Sequence, residues 1–274
     1  MRSATALPRR WGNEGGPRPD AGTGVRLRWW REVLYAAAFY VLYSLVRDLK
    51  GDRPVSALQA LTNARRVIRV ERWFGIFHEQ AVQSWFIGSR WLIRGLDDFY
   101  GTAHFAVTIG VMLYLFFGQR DRYPRWRNTL AFTTAIALAG FAFFPLMPPR
   151  LLPASYHIVD TLRVQGGLWS FDSGPMNAVS NQYAAMPSLH FAWSTWCALV
   201  LYPSTRRVWL KAVVVLYPVV TLSCIVVTGN HYFLDAVGGA ACLGAGYALA
   251  RAFTWGQDAW SRRRVAPAAG PPTT

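Results

Sequence analysis

The sequence predicts an all-α membrane protein: a bundle of six transmembrane helices with extra amphipathic helices at the interface and both termini cytoplasmic. Three observations predict this. Of 274 residues, 53% are hydrophobic and 16% charged, where a soluble domain carries about 25% charged residues. The apolar residues fall in nearly uncharged blocks of about twenty, the length a helix needs to cross the hydrocarbon. The period-2 alternation of a membrane barrel is missing, which leaves helices as the spanning element. A secreted globular protein, a disordered chain and a fibrous repeat are excluded.

Residues 1–28 are rich in Gly, Pro and Arg and show no periodicity or signal-peptide core, so they read as a disordered cytoplasmic tail. A single domain of membrane helices is placed at 29–255. Its first span is 29–49, charge-free only over 33–46 and anchored by Trp29 and Trp30. In 50–98, Leu58, Leu61, Ala64 and Val67 recur at helical spacing while Arg65, Arg66, Arg69 and Arg72 share the polar remainder. That pattern predicts an amphipathic helix at the interface, and the aromatic, Arg-containing stretch 84–96 a second. Their plain role is a packing collar. Five further spans are predicted at 99–118, 129–147, 186–202, 208–227 and 233–253, with an external loop over 148–185 and a second disordered tail at 256–274.

The net charge is +15, carried almost wholly by Arg; the only lysines are Lys50 and Lys211. Basic residues sit between apolar blocks and at the two ends, which fits anionic lipid rather than nucleic acid. Arg120, Arg122, Arg125 and Arg127 fill one connection, Arg206, Arg207 and Lys211 another, and Arg262, Arg263 and Arg264 follow the last block. With six crossings, these and the basic N-terminal tail share one side, the cytoplasm. The predicted location is a bacterial plasma membrane, multi-pass, with the active site facing outward. Cys197, Cys224 and Cys242 lie in apolar blocks and act as small hydrophobes, not as a disulfide framework.

Ionisable residues inside membrane segments are costly, so each asks for a reason. Here they gather at one predicted depth: His190 at the start of the fourth span, His231 and Asp235 at the start of the sixth, Arg150 after Pro148-Pro149, and Tyr100 and His104 opening the second. His231 and Asp235 stand four apart, so on a helix the carboxylate can orient the imidazole and fix its tautomer. With His190 as a second imidazole, one histidine can attack while the other protonates a leaving group. Two helix N-termini and Arg150 suit an anion with several oxygens, phosphate above all. Pro187 suits a first helical position. Each part also has a plain reading: an i,i+4 surface pair, an interhelical hydrogen bond at His190, a snorkelling Arg150, and bundle bracing by Tyr100 and His104.

Ala-Met-Pro-Ser-Leu-His at 185–190 and Gly-Asn-His-Tyr-Phe-Leu-Asp-Ala-Val-Gly-Gly at 229–239 resemble the second and third signatures of the type-2 phosphatidic acid phosphatase superfamily. They look most like the branch containing inositol phosphorylceramide synthases. The resemblance implies a six-helix membrane bundle and a phosphohistidine mechanism without metal or other cofactor. It makes His231 the nucleophile, Asp235 its orienting partner and His190 the acid that protonates the leaving oxygen. Two usual cationic contacts are missing: 143–150 has no lysine, and Ile225 stands six before His231. Phosphate binding is therefore assigned to Arg150, Ser188 and Asn230, helped by helix N-termini and an arginine from 50–98. Tyr100, His104 and Tyr232 are candidate substrate contacts.

The expected substrate is a membrane lipid phosphate or pyrophosphate. Water as acceptor makes the protein a lipid phosphate or prenyl-pyrophosphate phosphatase, which is the favoured reading. An alcohol acceptor makes it a head-group phosphotransferase. Asp160, Arg163, Asp172 and Asn177 in the external loop could contact a polar acceptor. Readings from other classes are a metal site on His190, His231 and Asp235, disfavoured by the nearby positive charge; a transporter, disfavoured because the polar set keeps to one leaflet; and a catalytically dead structural protein, disfavoured by the intact histidines and Asp235.

Overall fold

The structure, a computed structural model, describes residues 27–48, 56–165 and 182–265. Asp172, Asn177 and most of the two predicted tails lie outside the described residues. The elements are α1 (Trp29–Asp48), α2 (Ala57–Trp73), α3 (Glu79–Phe86), α4 (Arg90–Gly118), α5 (Tyr123–Phe143), the short α6 (Thr161–Gln165), α7 (Leu189–Leu201), α8 (Val208–Val227) and α9 (Phe233–Val265). The all-α class holds, with one isolated bridge, Leu146 to Ala184.

The six-span bundle does not hold. Among the described residues, three helices are long and apolar enough to cross a membrane: Arg90–Gly118, Val208–Val227 and Phe233–Gln257. The other expected spans fail for two reasons. α7 has 13 residues, about 20 Å at the helical rise, against roughly 30 Å of hydrocarbon. α1 and α5 are long enough but too polar: α1 begins with Arg31 and Glu32 and ends with Arg47 and Asp48, while α5 carries Arg125, Arg127, Asn128, Thr129, Thr133 and Thr134. The threonines return their hydroxyls to the helix, Thr133 to the Thr129 carbonyl at 2.7 Å and Thr134 to Leu130 at 2.8 Å. The assignment of both termini to the cytoplasm counted six crossings and falls with them. Apolar stripes do face outward on the long helices, as Phe105, Ile109, Leu113 and Phe117 on α4 and Val213, Leu216 and Val220 on α8. Stripes of this extent suit lipid rather than water.

Three smaller boundaries also differ. The 84–96 stretch is split: its first residues end α3, and Arg90 opens the long α4. Pro187 precedes the α7 cap rather than sitting in the first turn; Ser188 is the cap, and its Oγ accepts from Phe191 N at 3.4 Å. α9 continues to Val265, so residues 256–265 are helical.

Two cores hold the molecule together. One packs Val111 and Leu115 of α4, Tyr123 and Trp126 of α5, and Trp196 and Val200 of α7 around Leu243 of α9. Trp196 is fully buried and donates its indole N–H to the Trp126 carbonyl at 3.0 Å, the partner a buried indole requires. The other core seats α2 (Ala60, Ala64, Val67, Ile68) on Leu146, Met147, Leu152 and Tyr232. The buried stripe of α2 is rotated from the predicted one: Leu58 is exposed, and Asn63 and Glu71 are buried. Polar bonds fix the docking, with Asn63 Nδ2 donating to the Pro145 carbonyl at 2.8 Å and Met147 N to the Ala60 carbonyl at 3.3 Å. α2 is thus part of the core around the motifs.

Candidate active site

α4, α7 and α9 all begin at one end of the bundle, and α5 and α8 finish there, so residues far apart in sequence meet. α7 approaches α9 closely because Gly239 has no side chain: a Cβ there would lie 2.3 Å from the Ser188 carbonyl oxygen. Ser188 N also donates to the Asp235 carbonyl at 2.9 Å. Between α8 and α9 the chain turns at Gly229, whose φ of +68° favours glycine. The Gly229 carbonyl accepts from Arg150 N at 2.8 Å, which ties the segment after α5 to the turn.

The two motif histidines are neighbours, with ring centroids 5.5 Å apart. His231 Nδ1 lies 3.2 Å from Asp235 Oδ2, and both residues are buried. The same Oδ2 accepts from Tyr232 N at 3.0 Å, so one carboxylate oxygen fixes both the ring and the backbone beside it. His190 is flanked by Tyr100, stacked at 4.2 Å and 20°, and by His104 at 4.1 Å. His104 is held by its Nδ1 contact with the Tyr100 carbonyl, 3.0 Å. Tyr100 also lies 6.4 Å from the His231 ring. Tyr232 is fully buried, and its hydroxyl donates to the Met147 carbonyl at 3.0 Å.

Arg150 reaches the site from the segment after α5. Its Nε donates to Asn230 Oδ1 at 3.1 Å and its Nη1 meets Asp160 Oδ2 at 3.0 Å. Asn230 in turn donates to Thr228 Oγ1 at 2.8 Å. Of the external-loop residues named from sequence, Asp160 is thus at the site through Arg150, and its Oδ1 accepts from Arg163 N at 3.4 Å. Ile225, where the related signature carries arginine, is buried, and its carbonyl accepts from Asn230 N and His231 N, each at 3.0 Å.

The N-terminus of α9 is not open to an anion, contrary to the sequence expectation. Phe233 N donates to Glu79 Oε1 at 3.2 Å and Leu234 N to Glu71 Oε1 at 2.7 Å. What 50–98 brings to the motif is therefore a pair of carboxyls. Both are buried and close enough to interact with each other. Burial, followed by the neighbouring Glu79 carboxyl, pushes Glu71 up to about 9, and burial raises Glu79 as well.

Sequence reasoning missed these two acids together with Gln83, Asp97 and Thr161. Gln83 donates to the Val159 and Val227 carbonyls at 3.0 and 3.1 Å and accepts from Val159 N at 2.7 Å. Thr161 donates to Asp97 Oδ1 at 2.9 Å, which ties α6 to α4. The available signal was Glu71 standing in register with Ala60, Ala64, Val67 and Ile68 on an apolar face. Among the described residues, no group of three or more His, Cys, Asp or Glu is arranged to hold a metal ion.

A family model described as the PAP2 superfamily matches residues 65–249. That range contains every residue named at the site. No curated protein and no solved structure matches the chain.

Proposed function

The chain belongs to the PAP2 superfamily, and on that premise we propose that it transfers phosphoryl groups from lipid phosphoesters through a phosphohistidine on His231. Family membership supports a lipid phosphoesterase-type activity in general. The observation that carries the finer reading is the His231–Asp235 contact of 3.2 Å with the His190 ring 5.5 Å away. Bonding at Nδ1 leaves Nε2 of His231 as the attacking nitrogen, and the carboxylate stabilises the ring as positive charge develops.

In the first step His231 Nε2 bonds to phosphorus while the bond to the leaving oxygen breaks, and His190 gives that oxygen a proton. In the second, His190 takes a proton from water as the water oxygen attacks phosphorus, and the P–N bond breaks. Arg150 neutralises the phosphate oxygens, its guanidinium passing from Asp160 to the substrate, while Asn230 holds its Nε side. Ser188 serves by capping α7 beneath His190. Tyr100 and His104 hold His190 in place and border the substrate, and Tyr232 positions the motif from below. A site on the side away from the cytoplasm is supported by the basic connections with Arg120 and Arg122 and with Arg206 and Arg207, which lie at the opposite bundle end.

Hydrolysis is the favoured reaction. Head-group transfer to an alcohol, as in the inositol phosphorylceramide synthase-like branch, is the second reading, favoured by Ile225 replacing a cation in the related signature. The test offers purified protein a panel of lipid phosphates and prenyl pyrophosphates, with and without inositol. Free phosphate, independent of added alcohol and of chelator, is the expected product. A new phosphodiester formed only with alcohol would select transfer, and no turnover of any lipid phosphate would overturn the proposal.

A further inference from the structure

α9 begins with three successive backbone N–H groups, each bound by a carboxyl group. Tyr232 N goes to Asp235, Phe233 N to Glu79 and Leu234 N to Glu71, at 3.0, 3.2 and 2.7 Å. Asp235 is the residue that holds His231. The other two carboxyls come from α2 and α3, which precede the long helices and touch the motif from outside it. Glu71 and Glu79 each use one oxygen on α9, and their second oxygens have no hydrogen-bond partner among the described residues. Seated on successive N–H groups, the two buried carboxyls lie close enough to interact with each other, and a proton held by one of them would let it donate to the other. Two buried ionised carboxylates in contact would repel and lose hydration together; one shared proton removes both costs.

We propose that Glu71 and Glu79 are a proton-sharing pair of positioning residues that clamps the first turn of α9 and so sets the orientation of His231 toward the phosphate. The inference rests on the phosphoryl-transfer reading for its kinetic consequence, but its structural readout does not. The charged or titratable groups that face the pair are Asp235 and Tyr232 from the motif and His78 at the start of α3. Asp235 adds negative charge and keeps the pair's proton bound, and Tyr232 meets both acids. The pair stays singly protonated through neutral pH. Its contribution is complete below the unfolded glutamate value, and it is lost as pH rises toward the raised Glu71 value of about 9. Above that value the clamp opens and His231 turns.

Two variants test this. Glu71→Gln keeps an acceptor for Leu234 N and a donor for Glu79, without the titration. It should retain turnover within about threefold at pH 7 and lose the alkaline decline that the wild type shows. Glu71→Leu removes both contacts and should lower kcat on the order of 30-fold or more, with KM changed less than about threefold, as expected when orientation rather than binding is lost. The independent readout is nitrogen NMR of labelled histidine in nanodiscs. His231 should report an alkaline transition in the wild type that is absent from Glu71→Gln, whether or not any lipid is turned over. An unchanged alkaline transition in Glu71→Gln overturns the proposal. So does a folded Glu71→Leu protein with wild-type kcat. Failure of every lipid phosphate as substrate would instead count against the phosphoryl-transfer reading and leave the NMR result to judge the clamp.

Discussion

The two ends of the bundle solve the same packing problem differently. At the end away from the histidines, several polar groups close on one another: Arg122 donates to Ser204 Oγ at 2.7 Å and to the Val200 carbonyl at 3.1 Å, and Arg127 meets Glu32 at 2.7 Å, while Arg125, whose Nε has no hydrogen-bond partner among the described residues, lies over the Tyr247 ring at 4.7 Å. Beside them, Trp126 and Trp196 pack edge to face, their centroids 6.4 Å apart. At the histidine end, one buried oxygen each of Glu71, Glu79, Asp97 and Asp235 has no hydrogen-bond partner among the described residues. Paired polar groups give stability, whereas unfilled buried acceptors cost it. On the proposed function, such a concentration is tolerated because an anion-handling reaction needs protons and oriented imidazoles. The contrast separates a stabilising end from a working end, and substitutions at each should move different observables.

The largest effect is expected from Asp235→Asn. An amide in place of the carboxylate at 3.2 Å from His231 Nδ1 favours the wrong tautomer and withdraws the charge that stabilises the imidazolium. Turnover should fall about 10³- to 10⁴-fold with the fold retained, measured as phosphate release beside circular dichroism. A loss under tenfold would mean that the histidine end is not working as described. Trp196→Ala should do the reverse. It removes a fully buried indole and should cost about 3–5 kcal/mol of stability, read by unfolding in detergent, while kcat of the folded fraction stays within about twofold. A large kcat defect there would erase the distinction between the ends. Smallest of all is Glu32→Gln at the Arg127 pair, whose side chains are 23% and 17% exposed. It should cost less than about 1 kcal/mol, with no kinetic change; a larger cost would mean that α1 holds the bundle more tightly than the Glu32–Arg127 pair suggests.

What was legible in the sequence follows the same division. His190, His231, Asp235 and Arg150 were readable because ionisable residues stand out against apolar blocks, and because HxxxD spacing fixes a shared face whatever the tertiary context. Their meeting within one cluster needed only that several helices begin or end on one side. The number of spans was not legible: α7 looked long because its apolar block runs on into the capping turn before Leu189 and the turn after Leu201, and α5 looked apolar because threonines that bond their own helix count as polar only weakly. Glu71 and Glu79 were hidden by company. In an Arg-rich amphipathic helix an isolated glutamate reads as half of a surface ion pair, and only its register with Ala64, Val67 and Ile68 marks it as buried. The bonds to Phe233 and Leu234 span more than 150 positions of sequence, which no local pattern announces.

The most direct test of the account is to trap the covalent intermediate. Reconstituted protein is mixed with a lipid phosphate labelled at phosphorus, quenched within seconds in denaturing alkali, digested, and the labelled peptide sequenced. The account predicts label on His231, stable in alkali and released by acid, and none in Asp235→Asn at the same time point. Turnover with no label on His231, or label carried by a different residue, would contradict it.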